Sequence, residues 1–216
     1  ATDTVNEGGT ITYTATLDNP ADTAMTVTLS NGEVINIAAG DTSGTVDVIA
    51  SDDAYAGGDT ASAAITSTSG GNFENLIVDD TPATTTINDD ADATNITLSA
   101  TDTVSEGGTI TYTATLDNPA DTAMTVTLSN GQVINIVAGA TSGTVDIVAS
   151  DDAYAGGDTA SATIISTNGG NFENLVVDAT PATTTINDDA DATNITLSAT
   201  DTVNEGGTIT YTATLD

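Results

Sequence analysis

Three groups of carboxylates recur along this chain, and none has a basic neighbour. In the complete middle copy of the pattern they are Glu106 in Ser105-Glu106-Gly107-Gly108, Asp151-Asp152 with Asp158, and Asp188-Asp189 with Asp191. The same residues stand earlier as Glu7, as Asp52-Asp53 with Asp59, and as Asp89-Asp90 with Asp92, while Glu205 opens a third copy. Across 216 residues there are 32 Asp and Glu but no Lys, Arg or His, for a net charge of −32. Two carboxylates about 4 Å apart repel by roughly 4 kcal/mol at an effective dielectric near 20. Clustered acids of this kind need counter-ions if they are to sit close together. Calcium takes about six to eight oxygens at roughly 2.3–2.6 Å, drawn from carboxylates, carbonyls and water. Adjacent Asp pairs on loops, with Asn and Thr nearby, supply that kind of shell. The glycine pair after Glu106 lets the backbone bend tightly beside its carboxylate.

The repeats test which acids matter. Glu33, Asp41 and Asp80 become Gln132, Ala140 and Ala179 in the next copy, so a site common to both copies cannot depend on them. The scattered acids Asp47, Asp146, Glu74 and Glu173 read as solvated turn residues that keep the chain soluble.

The same composition excludes several functions. Binding nucleic acid means neutralising phosphates with Lys or Arg, and this chain has neither; an anionic membrane surface is excluded on the same ground. Without Cys there is no disulfide, and without Lys no Lys–Asn isopeptide cross-link. A pair such as Asp151-Asp152 resembles a glycosidase dyad on paper. However, there is no His, Cys or Lys to act as base or nucleophile, and no Trp to stack on a sugar. The expectation is that the chain is not an enzyme.

The elements that must position these acids are strands. Ala1-Thr2-Asp3-Thr4-Val5 returns at Ala100 and again at Ala199, a period of 99 residues. That is too long for a solenoid unit of about 20–50 residues and suits a sandwich domain of about 100. In the middle copy, Ile110, Tyr112, Ala114 and Leu116 alternate with threonines, the period-two mark of a strand with one buried face. Met124, Val126 and Leu128 form the next strand, Asn130-Gly131 turns it, and Val133 to Ile136 returns antiparallel. Gly139 and Gly143 bracket a loop before a strand from Thr144 to Ala149. A further strand is expected over about Asp158 to Ser166, then a strand or irregular segment from Asn171 to Val177, then Ala182 to Ile186. With Ile195-Thr196-Leu197 opening the next copy, each unit has seven or eight short strands and no helix. The expected fold is all-β, a tandem of immunoglobulin-like antiparallel sandwiches. The divisions fall at 1–92 for a first repeat without its leading strand, 93–191 for a complete second, and 192–216 for the opening strands of a third.

The chain thus reads as a window on a longer polymer. Its last strands match the stretch Asn95 to Ser99 that the first repeat lacks, so strand addition between copies, giving head-to-tail fibres, is one expectation.

Glu-Gly-Gly, then Asp-Asp-x-Tyr-x-Gly-x-Asp, then Ile-Asn-Asp-Asp closing the unit resembles the Calx-β pattern. The tandem arrangement resembles the immunoglobulin-like extender repeats of giant RTX-type bacterial adhesins. The resemblance implies secreted, calcium-binding sandwiches, Calx-β-like or cadherin-like, at the bacterial cell surface, held end to end by calcium at their junctions. It implies ligands at Glu106, Asp151, Asp152, Asp188 and Asp189, and at Glu7, Asp52, Asp53, Asp89 and Asp90 in the first repeat. Calx-β units usually carry an acid after the motif tyrosine. Ala56 and Ala155 stand there, which brings Asp59 and Asp158 forward as substitutes. The junction acids Asp89, Asp90 and Asp92 run straight into Thr94-Asn95-Ile96, with no flexible Gly/Ser/Pro run between repeats.

Two other readings share the fold. One is a subunit of a self-assembling extracellular filament or surface layer. A more distant one is a carbohydrate- or ice-binding module, suggested by the row Thr10, Thr12, Thr14 and Thr16; threonine also suits the wet face of any strand.

Overall fold

A computed structural model describes residues 1–216, and every regular element in it is a strand. The chain divides into two compact units, residues 1–94 with Asn171–Val176, and residues 95–170 with 177–216.

The first repeat's strands are β1 (Thr4–Asn6), β2 (Thr10–Thr16), β3 (Met25–Leu29), β4 (Val34–Ile37), β5 (Ser43–Ile49), β6 (Asp59–Ala63), β7 (Ile65–Gly70) and β8 (Ala83–Asn88). The second repeat's are β9 (Ala93–Ala100), β10 (Thr103–Ser105), β11 (Thr109–Leu116), β12 (Met124–Leu128), β13 (Val133–Ile136), β14 (Ser142–Val148), β15 (Asp158–Ala162), β16 (Ile164–Gly169), β17 (Asn174–Val177) and β18 (Ala182–Asn187). A hairpin of β19 (Ile195–Ala199) and β20 (Tyr211–Leu215) follows.

The first repeat forms sheets β1-β8-β6, β4-β3-β7 and β2-β5. The second repeats this as β10-β18-β15, β13-β12-β16 and β14-β11-β9-β17. β1 with β8 and β10 with β18 pair in parallel, whereas β2–β5, β3–β4, β3–β7, β6–β8, β9–β11, β11–β14, β12–β13, β12–β16, β15–β18 and β19–β20 pair antiparallel. The alternation in sequence becomes alternation in burial: β11 buries Ile110, Tyr112, Ala114 and Leu116, and β12 buries Met124, Val126 and Leu128. With Ile134, Ile136 and Ile186 these fill the space between facing sheets, as Ile11, Tyr13, Met25, Val27, Ile35, Ile37 and Ile87 do in the first unit. Each unit has the inward-facing core of a sandwich.

Two expectations need correction, and one pair of strands goes unforeseen in the sequence. The run from Asp158 to Ser166 is two strands in different sheets: β15 pairs with β18 and β16 with β12. Around Thr163 the chain crosses from one layer to the other, with Ala162 and Ile164 both buried. Gly143 lies inside β14 rather than in a loop, opposite Ala114. Packing is what requires glycine there, since a Cβ would come 2.4 Å from the Asn135 carbonyl oxygen. Lastly, β1 and β10 are too short to show periodicity, and they carry the parallel pairing that builds the acidic pole.

Candidate metal centre

The parallel pairing of β10 with β18 sets Ser105 beside Asn187, so the residues that follow, Glu106 and Asp188-Asp189, emerge side by side. The Glu106 N–H donates to the Asn187 carbonyl at 3.0 Å. Gly107 turns the chain at φ 65°, its N–H directed at the Ser150 carbonyl 3.4 Å away, and the Ala149 N–H donates to the Gly108 carbonyl at 2.8 Å. A Cβ on Gly108 would fall 2.7 Å from the Ser105 carbonyl oxygen, so neither glycine tolerates a side chain without strain. These bonds bring the Asp151-Asp152 segment to the same pole. The next loop is tied in by the Gly156 N–H, which donates to Asp188 Oδ2 at 3.1 Å, and by the Tyr154 N–H, which donates to Asp152 Oδ1 at 2.7 Å.

Carboxylate oxygens of Glu106, Asp151, Asp189 and Asp191 lie within 4.8 Å of one another. Asp152 and Asp188 join Asp189 and Asp191 in lining a cleft of about 180 Å³. Glu106 is only 7% exposed, and its Oε2 has no hydrogen-bond partner. Burial, followed by the charges of Asp152, Asp188, Asp189 and Asp151, pushes its carboxyl above the ordinary glutamate range. Asp191 is raised first by the charge of Asp151 and then by burial. A buried, unpaired carboxylate is costly, and this one recurs.

In the first unit Glu7 is 6% exposed, and neither carboxylate oxygen finds a hydrogen-bond partner. The Asp53 amide lies close enough to favour its charged form without completing a hydrogen bond to either oxygen. Burial outweighs that, together with the charges of Asp53, Asp89 and Asp52, and the carboxyl is raised. The backbone repeats the second unit's bonds: Glu7 N–H to the Asn88 carbonyl at 3.0 Å, Gly57 N–H to Asp89 Oδ2 at 3.1 Å, and Tyr55 N–H to Asp53 Oδ1 at 2.8 Å. Glu7 groups with Asp52 and Asp90, and separately with Asp53 and Glu173.

Glu173 belongs to this first unit although it lies 81 residues beyond Asp92. Its segment is held by the Ala56 N–H donating to the Asn171 carbonyl at 2.9 Å and the Glu173 N–H donating to the Ala54 carbonyl at 3.2 Å. The rings of Tyr55 and Phe172 are 5.9 Å apart. Glu173 Oε2 accepts the Asp92 N–H at 2.6 Å, while Oε1 is buried and unbonded. That amide stabilises its charge, but burial and the nearby Asp89 and Glu7 prevail, so its carboxyl is raised. Asp92 is raised by burial and by Asp52, Asp90 and Asp53. Asp90, Asp92 and Glu173 form a third group of mutually close carboxylates in this unit.

The sequence-selected acids thus divide. Glu7, Asp52, Asp53, Asp90 and Asp92, and Glu106, Asp151, Asp189 and Asp191, come together in these groups. Asp89 and Asp188 sit beside them as acceptors for Gly57 and Gly156. Asp59 and Asp158 begin β6 and β15, exposed and outside the groups, and Glu205 is exposed after β19. Glu173, read from sequence as a solvated turn acid, is half-buried among carboxylates. Only the left-handed Asn171, φ 57°, hints at a shaped loop there, and Asn72 at φ 55° repeats it. Asp47 and Asp146 are exposed, each accepting a threonine hydroxyl across the strand pair at 2.7 Å.

The side chains of these groups offer only carboxylate oxygens, a set that favours a hard cation such as calcium over softer transition metals. A family model described as the LapA domain matches residues 1–90 and, separately, residues 92–189. No curated protein matches the chain.

Proposed function

The chain belongs to the LapA domain family, an adhesin family, and from that premise we propose that it is a calcium-rigidified extender segment of a bacterial cell-surface adhesin. Its role in this reading is mechanical: it spans distance so that a binding domain elsewhere reaches a surface to which the cell attaches, as in biofilm formation. The observation that carries the proposal is the pair of equivalent glutamates, Glu7 and Glu106, more than nine-tenths buried, each with carboxylate oxygen unbonded and faced by aspartates. A chain without Lys, Arg or His has no side-chain cation to meet them. A divalent cation bound by oxygen satisfies all of these groups at once.

In the second repeat Glu106, Asp151, Asp189 and Asp191 would hold the ion. In the first unit Glu7 with Asp52 and Asp90, or with Asp53 and Glu173, would do so, and Asp90, Asp92 and Glu173 offer a further place. An ion between Asp92 and Glu173 would cross-link segments 81 residues apart in sequence. Calcium sites in extracellular modules commonly have a Kd of about 10⁻⁴–10⁻³ M. A site exposed to free ion at about 100 times its Kd gains roughly 2.7 kcal/mol for the folded state. With an aromatic fraction of only 3%, each unit's core is small enough for such increments to decide its stability.

Titration calorimetry with calcium on the full chain, beside a magnesium control, tests the reading. Heat from at least two saturable sites that prefer calcium is expected. An absence of saturable heat at millimolar calcium would overturn it.

A further inference from the structure

In each repeat an early strand and the last strand lie side by side and point the same way. The second repeat is entered through β9 and β10 and left through β18, and β10 pairs with β18 in parallel at Thr103↔Thr185, Val104↔Ile186 and Ser105↔Asn187. In the first repeat β1 pairs with β8 likewise, at Thr4↔Thr86, Val5↔Ile87 and Asn6↔Asn88. Backbone hydrogen bonds close the pairing at both ends. The Thr185 N–H donates to the Asp102 carbonyl at 2.9 Å, and the Glu106 N–H to the Asn187 carbonyl at 3.0 Å. Their equivalents, Thr86 N–H to the Asp3 carbonyl and Glu7 N–H to the Asn88 carbonyl, are both 3.0 Å.

Direction decides how such a pair answers to tension. Antiparallel neighbours joined by a turn have their free ends together, so pulling those ends apart breaks the ladder one bond at a time. In a parallel pair, tension draws the entering strand backward and the leaving strand forward along their own axes. The strands must then slide past each other, and the bonds between them bear the load together. β18 is held on both flanks, as the middle strand of β10-β18-β15, with β15 paired from Asp158↔Ile186 to Ala162↔Ala182. Sliding it also drags the buried Ala182, Thr184 and Ile186 out of the interior. β9 is drawn along its axis too, because its pairing with β11 from Leu116↔Ile96 to Tyr112↔Ala100 puts its leading end at the pole away from Glu106.

We propose that β10 with β18, and β1 with β8, are mechanical clamps through which each repeat bears tension along the chain. A strand of three residues adds little to a core, but this one stands between the entry and the exit of its repeat, where load passes. The clamp follows from strand topology and needs no metal. Only its use, as the load path of an extender, rests on the function proposed above.

Single-molecule force spectroscopy on the 216-residue chain, in chelator throughout, tests this. The sequence has no cysteine, so a pair of introduced thiols fixes the points of attachment. In one protein, Asp102→Cys with Thr193→Cys loads β10 and β18 along the clamp. In the other, Thr109→Cys with Thr193→Cys applies the load beyond β10. Thr109 begins β11 at the pole where β18 ends, so tension there crosses the strands and peels β18 from one end. All three positions are exposed, so the two proteins share one fold and one stability, and their unfolding forces differ only through the barrier along the pulled direction. At equal loading rate the first protein should unfold its second repeat at about twice the force of the second, or more, since forced unfolding follows the unfolding rate. In the first protein Val104→Pro, which takes away the ladder N–H lying between the Asp102 and Glu106 bonds, should bring the force down to that of the second. Equal forces for the two attachments, or a force that Val104→Pro leaves unchanged, would each overturn the proposal.

Discussion

Glu106 and Glu7 are in the wrong place for side chains that must stay charged in water. Each follows a three-residue strand, is fixed by its own N–H to the carbonyl of an Asn, and is buried against aspartates. If a cation is their proper partner, Glu106→Gln should have effects of opposite sign in two buffers. In chelator, the neutral amide relieves a buried charge, and the melting temperature should rise by a few degrees. In calcium, it replaces a charged ligand oxygen and should weaken the site by at least the roughly 10–100-fold that loss of a mere outer-shell partner costs; the calcium-induced rise in melting temperature then shrinks. Equal melting shifts in both buffers would contradict a ligand role. Acidity offers a second test. Glu7, Glu106, Asp92, Asp191 and Glu173 all have raised carboxyl pKa values in the fold. A raised value means that the folded state binds the proton more tightly. The stability from these groups is therefore fully present below their ordinary values, 4.5 for Glu and 3.8 for Asp, and is lost as pH climbs through the raised ones. Asp79 and Asp178, lowered by Thr81 and Thr180, act the other way. In chelator, melting temperature should rise on acidification from neutrality toward the ordinary carboxylate range, whereas the extra stability given by calcium should disappear over that interval. Melts across a pH series with and without calcium check both halves.

At the scale of elements, the long strands were legible because threonine and aliphatic residues alternate, and the clusters were legible because repetition separates retained acids from replaceable ones. The positioning device was not. β10 is Thr103–Ser105, too short for a period, and its parallel partner β18 lies some eighty residues along the chain. Glu173 was hidden for a related reason: its neighbours Ala54, Ala56 and Asp92 are distant in sequence, and a lone acid after Asn-Phe looks like any surface turn. Gly143 shows a third limit, since a glycine required by a close carbonyl looks the same in sequence as a glycine that starts a loop. Gly143→Ala should therefore destabilise the second unit by about 1–3 kcal/mol, the usual cost of forcing a methyl into packed structure. Gly131→Ala meets no atom within 4 Å and strains only its turn at φ 84°, for about 1 kcal/mol. Denaturant unfolding of the two variants would rank them, and a Gly143→Ala protein as stable as the parent would contradict the close approach of β13 and β14.

At the scale of the whole molecule, the net charge of −32 opposes compactness everywhere, and the acids most crowded together are those where repeats succeed one another in sequence. Under the proposed extender role the chain must resist bending at those places, and bound calcium would supply the resistance that basic residues and disulfides, both absent from the sequence, do not. Glu173→Ala should consequently weaken calcium binding at the two first-unit groups that include it while sparing Glu7 with Asp52 and Asp90, and Glu106 with its neighbours, which calorimetry would register as a loss of some sites and not of all. The decisive measurement is small-angle X-ray scattering on the full chain, recorded in calcium and then after chelation at a concentration where it is monomeric. If calcium rigidifies the chain, scattering should show a narrow distribution of long particles in calcium and a broader, flexible distribution after chelation, restored when calcium returns. Superimposable curves in the two conditions would contradict it.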